Sequence, residues 1–237
     1  ELEIAPSVHG DSGLDGPELP QPKEEALKIS AFELMAKVVE ESDEKITLVP
    51  TGPLTNIAIF LLSYPHLKSK IERISLMGGS AIGGNWTASA EFNILVDPEA
   101  ADIVFKSGIP IAMSGRDVTH KAQVYPEDIE KIKNQGGKVA VMVGELLEFF
   151  IKFHKEICGW EFAPLHDPCA VAWLINPDMF TSKKLNVQID IDGEHTTGCT
   201  VTDFLNRFKL EPNTDVLLDV DRHQFVDMLI DAVNKYH

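Results

Sequence analysis

Short apolar runs alternate with amphipathic stretches along most of this chain. Residues 46–49, 73–77, 109–113 and 216–220 are strand-length runs rich in Ile, Val, Leu and Met. Two more, around 185–191 and 199–202, bracket the polar turn Asp192-Gly193-Glu194. Between the runs, apolar residues recur every three or four positions, as Leu27, Ala31, Leu34, Met35 and Val38 do within 23–41. That spacing predicts a helix there, and further helices over 54–63, 98–107, 126–134, 139–157, 168–175 and 221–236. Asp97 and Asp167 each precede a proline, the pattern of an Asp cap with Pro at the first helical position. Strands that are apolar along their length need cover on both sides. The predicted fold class is therefore α/β, an open, mostly parallel sheet with helices on both faces. Ligands in such sheets bind beyond the carboxyl ends of the strands. PTGP at 50–53, GGSAIGGN at 78–85 and SGRD at 114–117 each follow a predicted strand, so they should share one rim.

Composition narrows the choice of ligand. A formal net charge of −16 opposes binding to a nucleic-acid polymer or an anionic membrane surface. It leaves open a small neutral or cationic ligand and a divalent cation. No apolar run is long enough to span a bilayer. No linker, low-complexity tract or repeat divides the chain, which predicts a single domain over 1–237. Cys158, Cys169 and Cys199 are odd in number and lack metal-ligand spacing, so reduced thiols and a cytoplasmic location are expected.

The candidate chemistry lies in two polar clusters. The segment 78–97, GGSAIGGNWTASAEFNILVD, brings Asn85, Glu91 and Asn93 together with little periodic pattern. Amides donate and accept hydrogen bonds, so such a set suits a ligand covered in hydroxyl groups. A solvated turn built from Gly and Asn is the ordinary alternative. The second cluster, PLHDP at 164–168, places His166 and Asp167 ahead of an apolar helix. Asp167 as a cap and Asp167 as a ligand are evenly balanced. An imidazole can protonate a leaving group near neutral pH, although a satisfied buried histidine has the same appearance. Thr51 after a strand, Glu91 and the loop residue His9 say little individually.

Together, LVPTGPLTNIA at 48–58, MGGSAIGGNWTASAEFNILVDPEAA at 77–101 and PLHDPCAVA at 164–172 closely resemble the inosine-uridine-preferring nucleoside hydrolase family. HGDSGLDG at 9–16 and VLLDVDRHQF at 216–225 fit as well, so the resemblance spans the chain. It implies a Rossmann-like fold and hydrolysis of the N-glycosidic bond of ribonucleosides to ribose and free base. It also implies a calcium ion that holds the attacking water and two ribose hydroxyls. The Thr51 carbonyl and the Asp167 carboxylate match calcium ligands of the family. Asn85 and Glu91 match residues that grip the ribose 5′-hydroxyl, and Asn93 one that meets the ring hydroxyls near the metal. Phe92 matches a residue lining the sugar pocket, with Met77 beneath it. His166 matches the proton donor to the base, and His9 lies on a loop that closes over the ligand. The family implies a homodimer or homotetramer.

One departure matters. The family's Asp-rich motif, which supplies more calcium ligands and the general base, has no counterpart here, and Asp11 and Asp15 do not match it. The expectation is an amino-terminally incomplete domain lacking its first βα units, with residues 1–237 inactive by themselves. A nucleoside- or ribose-binding module without turnover is the alternative. For the base, Phe150, His154 and Cys158 share one helical face, and Trp160 on the next loop is placed to stack on a purine. A core Phe150 and a solvated His154 are equally compatible with the sequence. Neither purine nor pyrimidine is favoured.

Overall fold

The computed structural model describes residue 10 and residues 13–236. They fall into two compact units, one built from residues up to 25 with 120–165 and 221 onward, the other from 26–119 and 166–220. In chain order the strands are β1 (Ile46–Leu48), β2 (Ile71–Met77), β3 (Ile111–Ser114), β4 (Gln123–Val124), β5 (Ala163–Pro164), β6 (Phe180–Leu185), β7 (Val187–Ile189), β8 (Thr200–Thr202) and β9 (Thr214–Val220). The helices are α1 (Ala31–Glu41), α2 (Thr55–Ser63), α3 (Phe92–Val96), α4 (Pro98–Phe105), α5 (Arg116–Thr119), α6 (Pro126–Lys133), α7 (Gly137–Cys158), α8 (Asp167–Ile175) and α9 (Arg222–Val233). No helix among the described residues is long and apolar enough to cross a membrane.

The unit formed by 26–119 and 166–220 holds a five-stranded sheet in the order β1-β2-β3-β9-β6. The first four strands run parallel, as their apolar composition predicts, and β6 joins β9 antiparallel. Ile74, Leu76, Met113 and Val216 are fully buried in the sheet, packed in one core with Phe60 of α2 and Val104 of α4. On α8, the Ala170 carbonyl accepts a hydrogen bond from the buried Ser75 hydroxyl of β2 at 2.7 Å. That bond and the packing of α8 on β2 and β3 fix the helix against the centre of the sheet.

Several elements differ from the sequence expectation. The first helix starts at Ala31 instead of residue 23, leaving Leu27 69% exposed. Ser30 and Glu33 form a reciprocal capping box, with the Ser30 N–H donating to Glu33 Oε2 at 2.9 Å and the Glu33 N–H to Ser30 Oγ at 3.3 Å. This box fixes the start more sharply than apolar spacing can. Strand β6 has no apolar run, because its central Thr181, Ser182, Lys183 and Lys184 are exposed on the sheet edge, where lysines discourage pairing with another chain. The 185–191 and 199–202 runs shorten to β7 and β8, an antiparallel pair outside the main sheet.

The second unit is mainly helical. Helices α6 and α7 pack side by side, α9 lies against α6, and β4 pairs with β5. Within it the Asp128 carboxylate, 2% exposed, accepts from Arg222 Nη2 at 2.9 Å and Nη1 at 3.1 Å. The same guanidinium lies 4.9 Å over the Tyr125 ring.

Candidate functional site

The carboxyl ends of β1 and β2 bring most of the sugar-binding candidates together. β2 ends at Met77, and its continuation Gly78-Gly79 has backbone φ of +158° and +76°. At Gly79 a Cβ would stand 2.8 Å from Thr200 Cγ2 and 3.0 Å from Met113 Sδ, so the turn needs glycine there. Over this turn lies Glu91, the cap of α3, 3% exposed. Its Oε2 accepts from the Gly79 N–H at 2.9 Å and the Asn93 N–H at 3.0 Å. Asn93, 8% exposed, turns its amide nitrogen to the Met77 carbonyl at 3.2 Å, the Met77 sulfur at 3.1 Å and the Thr51 carbonyl at 3.5 Å. Thr51, Met77, Glu91 and Asn93 are therefore one hydrogen-bonded group.

Asn85 and Phe92 stand beside this group. The Asn85 side-chain oxygen accepts from the Phe92 N–H at 3.0 Å, which orients the amide, and Phe92 takes the edge of Trp86 with ring centroids 4.9 Å apart. The loop carrying Asn85 is anchored instead of merely solvated. Asp117 accepts from the Ala81 N–H at 2.6 Å, the Arg116 N–H donates to the Gly79 carbonyl at 2.9 Å, and the Arg116 guanidinium reaches the Gly84 carbonyl. Sequence reading left these two residues of SGRD, and Thr200, without a role. The rim position of SGRD was the available signal for the first two; Thr200, 120 residues from the loop it holds, gave none.

His166 and Asp167 enter at the start of α8. Asp167 is not the helix cap; it is the first helical residue, and His166 occupies the cap position with no side-chain capping bond. The proline at 168 suits the first turn equally well one residue further in, which is why the Asp-Pro pattern misplaced the cap. The His166 imidazole instead meets Thr119 Oγ1 through Nδ1 at 2.8 Å. Thr119, fully buried at the end of α5, is a residue the sequence did not point to.

The electrostatics single out the two carboxyls. Burial pushes Glu91 above the usual carboxylate range, the Asp167 charge adds to the rise, and the N–H groups of Gly79, Asn93 and Ile94 oppose it. Asp167 touches solvent on one side, yet protein crowds its carboxyl enough for burial to push it up to about 6. The Asp167 carboxylate and the Thr51 carbonyl, both in this unit, are oxygen donors of the kind a hard divalent cation takes. Among the described residues no three His, Cys, Asp or Glu side chains gather into a metal site.

The candidates for base contact lie in the other unit. His154 is buried, not solvated, and its Nδ1 lies 2.8 Å from the Phe150 carbonyl one turn back. A carbonyl only accepts, so Nδ1 carries a proton. Phe150 is half-buried, turning its ring to His154 with centroids 4.4 Å apart. Trp160 stacks on His154 at 5.7 Å and on Phe162 at 5.1 Å, and takes an edge contact from His120 at 5.2 Å. Cys158 is exposed on the same helix. His9 lies outside the described residues.

The sequence model of the family described as "Inosine-uridine preferring nucleoside hydrolase" matches residues 1–227. A relative from Photobacterium profundum, named pyrimidine-specific ribonucleoside hydrolase RihA, is 55% identical over all of this chain and 76% of its own length. A protein of the same name from Escherichia coli (strain K12) is 53% identical over the same shares. Among solved structures, the purine-preferring ribonucleoside hydrolase from Gardnerella vaginalis superposes with a TM-score of 0.90 at 32% identity, over 99% of this chain and 76% of that one.

Proposed function

Because the chain belongs to the inosine-uridine preferring nucleoside hydrolase family, we propose that it hydrolyses the N-glycosidic bond of ribonucleosides, with pyrimidine ribonucleosides preferred. The preference follows the two relatives above half identity, both named pyrimidine-specific, over the structural neighbour at 32%. The observation that carries the reading is the buried Asn93, whose amide links the Thr51 carbonyl to Met77 while its backbone donates to Glu91. Buried amides and carboxyls fixed in this way form a preorganised wall for a sugar's hydroxyls.

The chemistry follows from that wall. As the C1′–N bond breaks, its electron pair goes to the base and positive charge spreads over C1′ and the ring oxygen. Glu91 and the side-chain oxygens of Asn85 and Asn93 stabilise that charge without reorganising. His166 gives a proton to the departing base. The water oxygen bonds to C1′, its surplus proton passes to solvent, and a solvent proton restores His166. The Thr51 carbonyl and the Asp167 carboxylate would hold calcium, supplying part of the roughly six to eight oxygens it takes. When bound, the ion would lower the pKa of a water and fix ribose hydroxyls. We also propose a cytoplasmic homo-oligomer, a reading supported by the family resemblance and by free thiols that suit a reducing compartment.

Residues 1–237 lack a carboxylate matching the family's general base, so by themselves they would bind ribosides and release little base. The test measures free base from uridine, cytidine and inosine at millimolar calcium. It uses residues 1–237 and the same chain complemented with the part of the Photobacterium relative that it does not match. The expected result is turnover by the complemented chain, fastest on the pyrimidine nucleosides and abolished by a chelator. Riboside binding with no base release in either form would establish a binding module instead. Brisk turnover by 1–237 alone would overturn the claim of inactivity.

A further inference from the structure

The imidazole of His166 is held by a group outside the sugar wall. Its Nδ1 lies 2.8 Å from Thr119 Oγ1, and Thr119 is fully buried. Thr119 closes the four-residue helix α5, its N–H donating to the Gly115 carbonyl at 3.1 Å. The same short helix carries Arg116 and Asp117, which anchor the Asn85 loop. One turn of chain after β3 therefore fixes both the loop over the sugar and the histidine at the start of α8.

From this geometry we infer that Thr119 is a positioning residue, holding the His166 ring in one orientation so that Nε2 carries the proton delivered to the leaving base. The inference rests on the proposed hydrolase reading. A hydroxyl oxygen suits the task because it accepts from a ring N–H without carrying a charge. Toward the doubly protonated ring it accepts from Nδ1–H, which leaves Nε2–H to give its proton to the base. The neutral ring that remains keeps Nδ1–H and the same bond to Oγ1, until a solvent proton restores Nε2. The ring keeps its place in both states, and only the Nε2 proton is exchanged. A carboxylate in place of Thr119 would favour the charged ring strongly, and an apolar side chain would remove this bond from the ring. Because Oγ1 is buried on a helix that is itself bonded to the Gly79 turn, it has little freedom to follow a displaced ring.

The test compares Thr119→Val, which keeps shape and removes the hydroxyl, with Thr119→Ser, which keeps the hydroxyl. The first readout is the imidazole nitrogen NMR spectrum of residues 1–237, which needs no turnover. Wild type and Thr119→Ser should show the neutral His166 ring with its proton on Nδ1, and Thr119→Val a population shifted away from that tautomer. The second readout is kinetic, in the complemented chain. Thr119→Val should lower kcat on uridine by roughly tenfold to a hundredfold with KM little changed, as expected when an acid is displaced. On p-nitrophenyl riboside, whose leaving group departs without a proton, the loss should be at least tenfold smaller. Thr119→Ser should recover most of the uridine rate. An unchanged His166 spectrum in Thr119→Val, or equal losses on both substrates, would overturn the inference. His166→Ala separates the two levels. If it turns over uridine normally, the proton-donor reading of His166 fails, while the spectra still decide whether Thr119 sets the ring.

Discussion

Thr200 Oγ1 accepts from the Ser80 N–H at 2.8 Å and donates to the Ser80 carbonyl at 2.6 Å, so one hydroxyl satisfies both backbone groups of a buried residue 120 positions away. This pair holds to β8 the start of the loop proposed to bind the sugar. Thr200→Val would leave both groups of Ser80 buried without a partner. The expected cost is about 2–4 kcal/mol in chemical denaturation, from two orphaned groups at about 1–3 kcal/mol each with some relaxation. Riboside affinity should fall with it, and Thr200→Ser should restore both. Denaturation that leaves Thr200→Val within about 0.5 kcal/mol of wild type would show that the loop has another anchor.

Asn93 tests the proposed sugar wall directly. Asn93→Leu keeps the bulk and removes every hydrogen bond of the amide, including those to Met77 and Thr51. Loss of one or two bonds to ribose, at about 1–1.5 kcal/mol each, predicts riboside binding weaker by roughly tenfold to a hundredfold. Free base, which lacks the sugar, should bind as before. Calorimetric titration with a riboside and with its base reads the difference, and equal weakening of both would place the damage in folding rather than in sugar recognition.

The fold was legible where hydrophobic runs made the strands, and the candidate site was legible where polar residues interrupted them. Asn85, Glu91 and Asn93 stand out because nothing apolar explains them, and three of the four parallel strands end at the segments read as one rim. What escaped had a physical reason. Ser30 and Glu33 start α1 through a local exchange of hydrogen bonds that apolar spacing cannot register. β6 is visible only through its pairing with β9, because an edge strand needs no continuous apolar run. Thr119 and Thr200 are single hydroxyls whose partners lie 47 and 120 residues away, and no local pattern reports on them.

Asp167 gives the chain a distinctive response to pH. Its folded carboxyl sits at about 6 against an ordinary 3.8. A raised carboxyl binds its proton more tightly when folded, so its contribution is fully present below 3.8 and lost as pH rises through about 6. Glu91 is shifted in the same direction, also by burial. The metal-free chain should therefore lose stability from these groups between about pH 4 and pH 7, and Asp167→Asn should flatten that slope. Calcium favours the ionised carboxylate, so the midpoint gained on adding it should be larger at neutral pH than at acid pH. Denaturation midpoints across pH, with and without calcium, measure this. A calcium effect independent of pH would remove Asp167 from the binding site.

Arg222 is the structural counterpart in the helical unit. Its guanidinium donates twice to a buried Asp128 carboxylate and covers Tyr125, while Asp128 Oδ2 also accepts the Tyr125 N–H at 3.1 Å. Lys131 reaches the other carboxylate oxygen at 3.5 Å from a largely exposed position. Arg222→Ala would leave a buried charge with Lys131 as its one ion-pair partner among the described residues, and the expected loss is about 3–5 kcal/mol in denaturation. Adding Asp128→Asn should recover part of it, because the amide needs no cation and still accepts the Tyr125 N–H. If the double substitution is no more stable than Arg222→Ala alone, the stabilisation comes from the stacking of Arg222 on Tyr125 and not from its charge.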